Sequence, residues 1–159
     1  GCLTKDGDID MQKNRELIET AGNMSVTFHR AFDMSRDPFE SLEKIIELGC
    51  DRILTSGQLP KAIEGVNLIK ELVDKAGDRI IIMPGSGVNA GNIAEIERKT
   101  GVVEFHLSAR KPIESGMKYR NPNLKMGGTE VIINEFEEQV TGSEIVRATI
   151  EALNKTDNK

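Results

Sequence analysis

Three polar residues with chemically useful side chains lie close together near the start of the chain. The segment Val26–Asp33 reads V-T-F-H-R-A-F-D and contains His29, Arg30 and Asp33. A histidine can transfer a proton near neutral pH, an arginine can bind an anion, and an aspartate can act as a base or orient either of them. The same residues are equally compatible with a hydrogen-bonded structural histidine beside a loop ion pair, because position alone does not define chemistry.

A second polar set alternates with apolar residues in V-V-E-F-H-L-S, residues 102–108. If this segment is a strand, Glu104, His106 and Ser108 share one face. We predict that Glu104 and His106 form an acid–base pair, because a carboxylate beside a histidine shifts the proton affinity of both. A satisfied polar core is the alternative, and it applies most strongly to Glu104.

The glycine-rich segment Pro84–Val88, P-G-S-G-V, joins an apolar run to a predicted helix. Glycines at such a junction allow backbone N–H groups to approach an anion, and the start of a helix adds its positive end. We therefore predict that Gly85, Ser86 and Gly87 bind an anionic ligand. A tight turn without any ligand is the alternative.

The chain offers few metal ligands of the soft type. His29 and His106 are its two histidines, and Cys2 and Cys50 are its two cysteines. The histidines could bind zinc or a softer metal together with Asp33 or Glu104, but no short-range ligand spacing supports this. The identity of any metal ligand is left open.

The elements that position these residues alternate between strand and helix. Strands are predicted at Met24–His29, Asp51–Thr55, Arg79–Met83 and Val102–Leu107, and helices at 11–21, from Asp37-Pro38 to Gly49, from Pro60 to Gly77, from Asn89 to about Lys99 and from Ser143 to Leu153. This alternation predicts right-handed βαβ units with a parallel sheet, and hence an α/β fold. Ligands bind at the carboxyl ends of such strands, where the histidines fall.

Composition narrows the class of function. The 159 residues carry a net charge of -5, the aromatic content is 4%, and there is no Trp. An acidic chain with few aromatic residues is not expected to bind nucleic acid or an anionic membrane. No apolar run approaches the roughly 20 residues that span a bilayer. Two distant cysteines fit a reducing compartment, so we expect a cytoplasmic location.

Five segments, in this order and at this spacing, resemble motifs of the CutC family, whose members are called copper homeostasis proteins. They are V-T-F-H-R-A-F-D-M at Val26–Met34, R-I-L-T-S-G-Q at Arg52–Gln58, P-G-S-G-V at Pro84–Val88, E-F-H-L-S-A at Glu104–Ala109 and M-K-Y-R-N-P at Met117–Pro122. The resemblance implies a TIM-type (β/α)₈ barrel. It also implies that this chain is the carboxyl-terminal half, with the four strands as strands five to eight and Gly1–Thr4 as the end of strand four.

The resemblance also implies which residues line the cavity at the barrel mouth and what they bind. These residues are His29, Arg30, Asp33, Thr55, Ser56, Gly57, Gly85, Gly87, His106 and Ser108. The family name implies copper as cofactor and copper binding or trafficking in the cytoplasm, although neither cysteine matches a family cysteine motif. The alternative is an enzyme acting on a small anionic or phosphorylated metabolite, with His29 or His106 as acid–base. Whether the chain is an enzyme stays open at this point.

We interpret residues 1–159 as one partial barrel domain, which starts at Gly1 rather than Met. Residues 1–10 are predicted as the end of a strand and a loop, 110–142 as a long loop, and 154–159 as a frayed tail. A half-barrel would leave two strand edges unpaired, so we expect association with another copy of the chain, or else aggregation. The expected partners are otherwise a small molecule or a metal ion.

Overall fold

The computed structural model describes residues 1–121, 123 and 134–155. Five helices are present in this part of the chain: α1 (Met11–Ala21), α2 (Pro38–Glu47), α3 (Val66–Ala76), α4 (Ile93–Thr100) and α5 (Ser143–Asn154). The strands are β1 (Thr27–Phe28), β2 (Arg52–Thr55), β3 (Ile81–Pro84), β4 (Arg110–Glu114) and β5 (Glu137–Thr141), and 3₁₀ turns cover Arg30–Met34 and Gly77–Arg79. None of these helices is long and apolar enough to cross a membrane.

The first three strands form a parallel sheet in the order β1-β2-β3. Thr27 pairs with Arg52, and Ile53 pairs with Ile82. Each pair of neighbouring strands is joined through a helix, which confirms the predicted α/β fold with a parallel sheet. The carboxyl ends of the three strands therefore meet at one edge, which we call the carboxyl edge of the sheet.

The two faces of this sheet differ in burial. Ile53 and Ile82 are almost fully buried, while Leu54 and Met83 on the opposite face are only partly buried. The core consists of the buried face and the apolar sides of the helices, and its fully enclosed side chains include Phe32, Leu42, Ile45, Ile69, Leu72 and Ile96. Burial of these side chains is the main favourable contribution to folding.

The helix starts follow the capping residues only in part. The carboxylate of Asp37 accepts hydrogen bonds from the N–H groups of Phe39 and Glu40, with Pro38 in the first helical position, as predicted. By contrast, α3 begins at Val66 rather than Pro60. Residues 60–65 form turns instead, because their backbone groups bond to the segment that follows β3.

Two further helix boundaries differ from the prediction. Helix α4 begins at Ile93 rather than Asn89, because the side chains of Asn89 and Asn92 both bond to the carbonyl of Gly87 and hold the preceding residues in a turn. Helix α5 begins at Ser143 as predicted, but its cap residue is Gly142 and no side chain caps it.

The fourth predicted strand, Val102–Leu107, does not form. One backbone bond joins it to β3, from the N–H of His106 to the carbonyl of Pro84 at 2.9 Å. Within the described residues the sheet ends at β3, so the segment has no ladder to stabilise an extended strand. The first predicted strand is also shortened, to Thr27–Phe28.

The segment 110–142, predicted as a long loop, begins and ends in strands. β4 and β5 form an antiparallel pair in which Arg110 lies opposite Thr141 and Glu114 lies opposite Glu137. The guanidinium of Arg120 lies 4.0 Å from the centre of the Phe136 ring. Residues 122, 124–133 and 156–159 lie outside the described part, and with them several apolar residues of the predicted loop and most of the predicted tail.

Candidate functional site

Asp33 is the centre of the polar network at the carboxyl edge of the sheet. It lies in the 3₁₀ turn after β1, and its side chain is 6% exposed. Its carboxylate accepts hydrogen bonds from the Thr55 hydroxyl at 2.5 Å, the Ser56 N–H at 3.1 Å, the Gln58 N–H at 3.2 Å and Arg30 Nε at 2.7 Å. The ends of β1 and β2 are thereby joined through one buried carboxylate.

The surroundings of Asp33 keep it ionised. Burial raises the pKa of this carboxyl, but hydrogen bonds from Thr55, Arg30 and Ser56 outweigh burial, and the net pKa is lowered from its ordinary value of 3.8. Since its oxygens are occupied by donors, Asp33 is placed to position Arg30 and Ser56 rather than to receive a proton. The catalytic role predicted for Asp33 from the sequence stays a prediction.

Arg30 is held along one edge of its guanidinium and exposed along the other. Nε binds Asp33, and Nη2 donates to the Ser56 hydroxyl at 2.7 Å. The side chain is nevertheless 43% exposed, and Nη1 donates to no group in the part of the chain that the structure describes. A fixed arginine with a free edge is an anion-binding group, because its orientation does not have to be established when the ligand arrives.

His29 precedes this turn and caps it. Its Nδ1 accepts a hydrogen bond from the N–H of Ala31 at 3.0 Å, and its Nε2 lies 3.0 Å from the amino group of Gly1. Desolvation is the largest cause that lowers the pKa of His29 from its ordinary value of 6.5, so the ring is mainly neutral at pH 7. Which ring nitrogen carries the proton depends on which of its two neighbours, the Ala31 N–H or the Gly1 amino group, acts as the donor.

His106 lies beside Gly85 at the end of β3. A Cβ on Gly85 would lie 3.3 Å from Cβ of His106 and 2.5 Å from Cδ1 of Leu54, so any larger residue there would displace the Leu54 side chain. His106 itself is exposed. Ser108 is exposed as well, and its carbonyl accepts a hydrogen bond from the Thr141 hydroxyl at 3.2 Å.

Glu104 is bound to Arg52, and the structure does not bring it to His106. The guanidinium of Arg52 donates to both oxygens of Glu104, at 2.5 and 3.1 Å, and also to the Ser25 hydroxyl at 2.7 Å. The hydrogen bond from Arg52 lowers the pKa of Glu104. Because Arg52 begins β2, this ion pair lies near the amino ends of the strands, away from the carboxyl edge, and the predicted acid–base pair is not formed.

The glycine-rich segment after β3 has a backbone suited to an anion. Ser86 and Gly87 both have positive φ, +79° and +73°. The Ser86 hydroxyl donates to the carbonyl of Pro60 at 2.7 Å, and the Gly87 carbonyl accepts from the Asn89 amide at 2.8 Å. The N–H groups of Ser86, Gly87 and Val88 donate to no group of the described residues.

Sequence reasoning missed residues that shape the predicted site from the segment after β2. Gly57 and Gly65 face each other so closely that a Cβ on Gly65 would lie 2.1 Å from the carbonyl oxygen of Ser56. Gln58, with φ of +57°, donates its backbone N–H to Asp33 and its side-chain amide to the carbonyl of Ser35 at 2.8 Å. The S-G-Q motif pointed to Gln58, whereas nothing in the local pattern pointed to Gly65.

The described residues do not fit a copper centre. They contain no group of three or more His, Cys, Asp or Glu side chains that could hold a metal ion together. Cys50 is buried just before β2, near the amino ends of the strands, and burial raises the pKa of its thiol. Cys2 is partly buried and its backbone N–H bonds to Asn14 of α1. The thiols and the two histidines therefore do not form one soft-ligand set.

The family model of the CutC family matches residues 1–111. The chain belongs to the CutC family. It is 58% identical to a family protein CutC of Parabacteroides distasonis over 150 residues, which are 94% of this chain and 61% of that protein. It is 52% identical over 153 residues to one of Bacteroides fragilis, covering 96% of this chain and 61% of that protein. The chain thus spans about three fifths of the length of these CutC relatives.

A solved structure agrees with this assignment. A crystal structure of a CutC protein from Streptococcus agalactiae, named for copper homeostasis, matches with a TM-score of 0.63 and 36% identity over 67% of this chain and 52% of that one. By name, CutC is a family of copper homeostasis proteins. The resemblance drawn from the five motifs is confirmed, and the parallel α/β sheet fits the TIM-barrel type. That the chain is the carboxyl-terminal half of such a barrel stays a prediction.

Proposed function

We propose that the carboxyl edge of the sheet forms one wall of a binding site for a small anionic metabolite, in an enzyme of the TIM-barrel type. The observation that carries the proposal is the exposed edge of Arg30, whose guanidinium is oriented by the buried Asp33 and Ser56. A cation held in this way binds carboxylate or phosphate oxygens without loss of its own freedom.

The segment after β3 supports the same proposal from the neighbouring strand. Gly85 donates its N–H to the carbonyl of Thr55 at 2.9 Å, so the ends of β2 and β3 are adjacent. The N–H groups of Ser86, Gly87 and Val88 follow directly and have no acceptor within the described residues. Two kinds of donor for an anion therefore occur at one edge of the sheet, in a chain whose net charge is otherwise negative.

The two histidines supply the proton-transfer groups of the proposed enzyme. His29 lies at the end of β1 with its pKa lowered from the ordinary value, so a neutral imidazole is present there. His106 is exposed beside Gly85 and acts as the base. Two imidazoles beside an anion-binding arginine are typical of enzymes that move a proton on a small anionic substrate.

Binding of inorganic phosphate and acetate, measured by calorimetry on the chain and on Arg30→Gln, tests the proposal. Loss of a charged hydrogen bond predicts that affinity falls about tenfold. Arg79→Gln is the matched control, because Arg79 is 46% exposed and paired with Glu43, but lies before β3 at the amino ends of the strands. The proposal is refuted if the wild type binds neither anion. It is also refuted if Arg30→Gln binds the anions as tightly as the wild type does.

Copper binding is the second candidate function, because the family is named for copper homeostasis and both histidines lie at the carboxyl edge of the sheet. Anaerobic binding of Cu(I) and Zn(II) to the wild type, His29→Ala and His106→Ala distinguishes it. A tight stoichiometric Cu(I) site weakened by either substitution would support copper binding or trafficking in the cytoplasm. If neither substitution changes metal binding, the histidines are not metal ligands, and the small anion remains the proposed ligand of the carboxyl edge.

We also propose that the chain associates with a second copy. Within the described residues β1 has no partner on its outer side, and Leu54 and Met83 are only partly covered on the inner face of the sheet. An unpaired edge and an uncovered apolar face both favour association. Sedimentation velocity over a range of concentrations tests this, and a compact monomer at every concentration would contradict it.

A further inference from the structure

Lys61 lies in the segment between β2 and α3, where its two chain neighbours are fastened to the glycine-rich segment. The carbonyl of Pro60 accepts the Ser86 hydroxyl at 2.7 Å, and the N–H of Ala62 donates to the Ser86 carbonyl at 3.0 Å. The backbone of Lys61 is therefore fixed relative to Ser86 from both sides.

The side chain of Lys61 packs against Gly87. A Cβ on Gly87 would lie 3.3 Å from Cγ and 3.4 Å from Cδ of Lys61, so the absence of a side chain at position 87 makes room for the lysine stem. The ammonium nitrogen is two bonds beyond Cδ. It therefore stays close to Gly87, whose N–H, like those of Ser86 and Val88, has no acceptor among the described residues.

The charge of Lys61 is uncompensated in the part of the chain that the structure describes. Lysines on the neighbouring helices behave differently, since Lys44 pairs with Glu40 and Lys99 pairs with Glu95, each at 2.7 Å. Lys61 is exposed and forms no ion pair with a described carboxylate. An uncompensated cation whose stem packs beside free backbone donors is an arrangement that favours an anion of more than one charge.

We propose that Lys61 determines the specificity of the anion site and selects a phosphate monoester over a carboxylate. The inference rests on the proposed function, because it assigns a ligand class to the same edge. A phosphate monoester carries close to two negative charges at neutral pH and three terminal oxygens, whereas a carboxylate carries one charge and two oxygens. Three N–H groups match the three terminal oxygens in number, and the ammonium offsets part of the additional negative charge.

Calorimetric titration with inorganic phosphate and with acetate tests the inference on the wild type, Lys61→Gln, Lys61→Arg and Lys70→Gln. Lys61→Gln retains most of the stem that packs on Gly87 and removes the charge. Lys70, on the exposed side of α3 and paired with Asp74, is the control. We expect phosphate affinity to fall about tenfold in Lys61→Gln, to recover in Lys61→Arg and to stay unchanged in Lys70→Gln. Acetate affinity should change much less.

The Arg30→Gln variant separates failure of this inference from failure of the proposed function. If Arg30→Gln weakens phosphate binding and Lys61→Gln does not, the anion site stands and the role of Lys61 is refuted. If Lys61→Gln weakens phosphate and acetate equally, Lys61 contributes charge without selecting the ligand class, and the inference is again refuted. If neither anion binds the wild type, both proposals fail together.

Discussion

The Asp33 carboxylate accepts hydrogen bonds from both the backbone N–H and the hydroxyl of Ser56, at 3.1 and 2.9 Å. Asp33 follows β1 and Ser56 follows β2, so these bonds fix the relative position of two loops at the carboxyl edge of the sheet. Arg30 binds the same two residues. The orientation of the proposed anion-binding group is therefore set by a buried carboxylate that does not itself face the ligand.

Asp33→Asn should destabilise the fold and weaken anion binding together. The amide would present N–H groups where Arg30 and Ser56 now donate, so a buried donor would face a buried donor. We expect the free energy of unfolding to fall by about 3 kcal/mol. Urea unfolding measures the stability, and titration with inorganic phosphate measures the affinity.

Asp74→Asn is the control for this substitution. Asp74 is an exposed carboxylate that pairs with Lys70 on the surface of α3, and surface pairs of this kind contribute little. We expect almost no change in unfolding or in phosphate affinity. If Asp33→Asn were as stable as this control, the structural role assigned to Asp33 would be wrong.

The lowered pKa of Asp33 predicts how stability depends on pH. A carboxyl whose pKa is lower in the folded chain than its ordinary 3.8 stabilises the fold fully above that value. The contribution is lost as the pH falls below 3.8 and through the folded pKa, because the unfolded chain takes up a proton first and the folded chain does so only at its lower pKa. The difference in unfolding free energy between the wild type and Asp33→Asn should therefore be constant from pH 7 to 5 and shrink below pH 3.8. A difference that stays constant down to pH 2 would contradict the assignment.

His29 should be neutral at pH 7. The reason is the desolvation that lowers the pKa of the ring from its ordinary value of 6.5. Long-range proton–nitrogen NMR spectra distinguish a neutral ring from the imidazolium, and His29→Ala identifies its signals. Because the lowered pKa means that the unfolded chain binds the proton first, this residue should reduce stability as the pH falls below 6.5. An imidazolium at pH 7 would contradict the lowered pKa.

The sequence predicted the part of the site that depends on neighbours in the chain. Arg30 and Asp33 are three positions apart, and the strand before them was visible from its apolar pattern, so their ion pair was foreseeable. The alternation of strands and helices likewise identified the parallel sheet. These features follow from local preferences and from the spacing of apolar residues.

The parts that were not foreseeable depend on contacts between distant residues. Arg52 and Glu104 are 52 positions apart in the chain. The period-two pattern could show that Glu104 shares a face with His106, but it could not show that the distant Arg52 would bind Glu104. The extended run 102–107 has the pattern of a strand but only one backbone bond to a neighbour. The alternation of polar and apolar residues shows which side chains share a face of a strand. Whether the strand forms depends on the neighbouring segment with which its backbone can pair.

Gly65→Ala should destabilise the segment that carries Ser56. The added Cβ would lie 2.1 Å from the Ser56 carbonyl oxygen and 2.9 Å from Cα of Gly57, and both neighbours are backbone atoms that cannot rotate away. We expect a loss of about 3 kcal/mol in the free energy of unfolding, at the upper end of the cost of overpacking. Since Ser56 must move, phosphate affinity should fall as well.

Two other glycines provide controls that separate steric clash from backbone conformation. Gly116 has nothing within 4 Å of an added Cβ, so Gly116→Ala should change stability by less than roughly 0.5 kcal/mol. Gly49 is equally open but has a φ of +78°, so Gly49→Ala should cost about 1 kcal/mol from the left-handed backbone alone. Neither substitution should alter phosphate binding, because neither residue contacts Ser56. If Gly65→Ala unfolds no more easily than Gly49→Ala, then this close packing does not hold Ser56 in place, and its hydrogen bonds with Asp33 must do so.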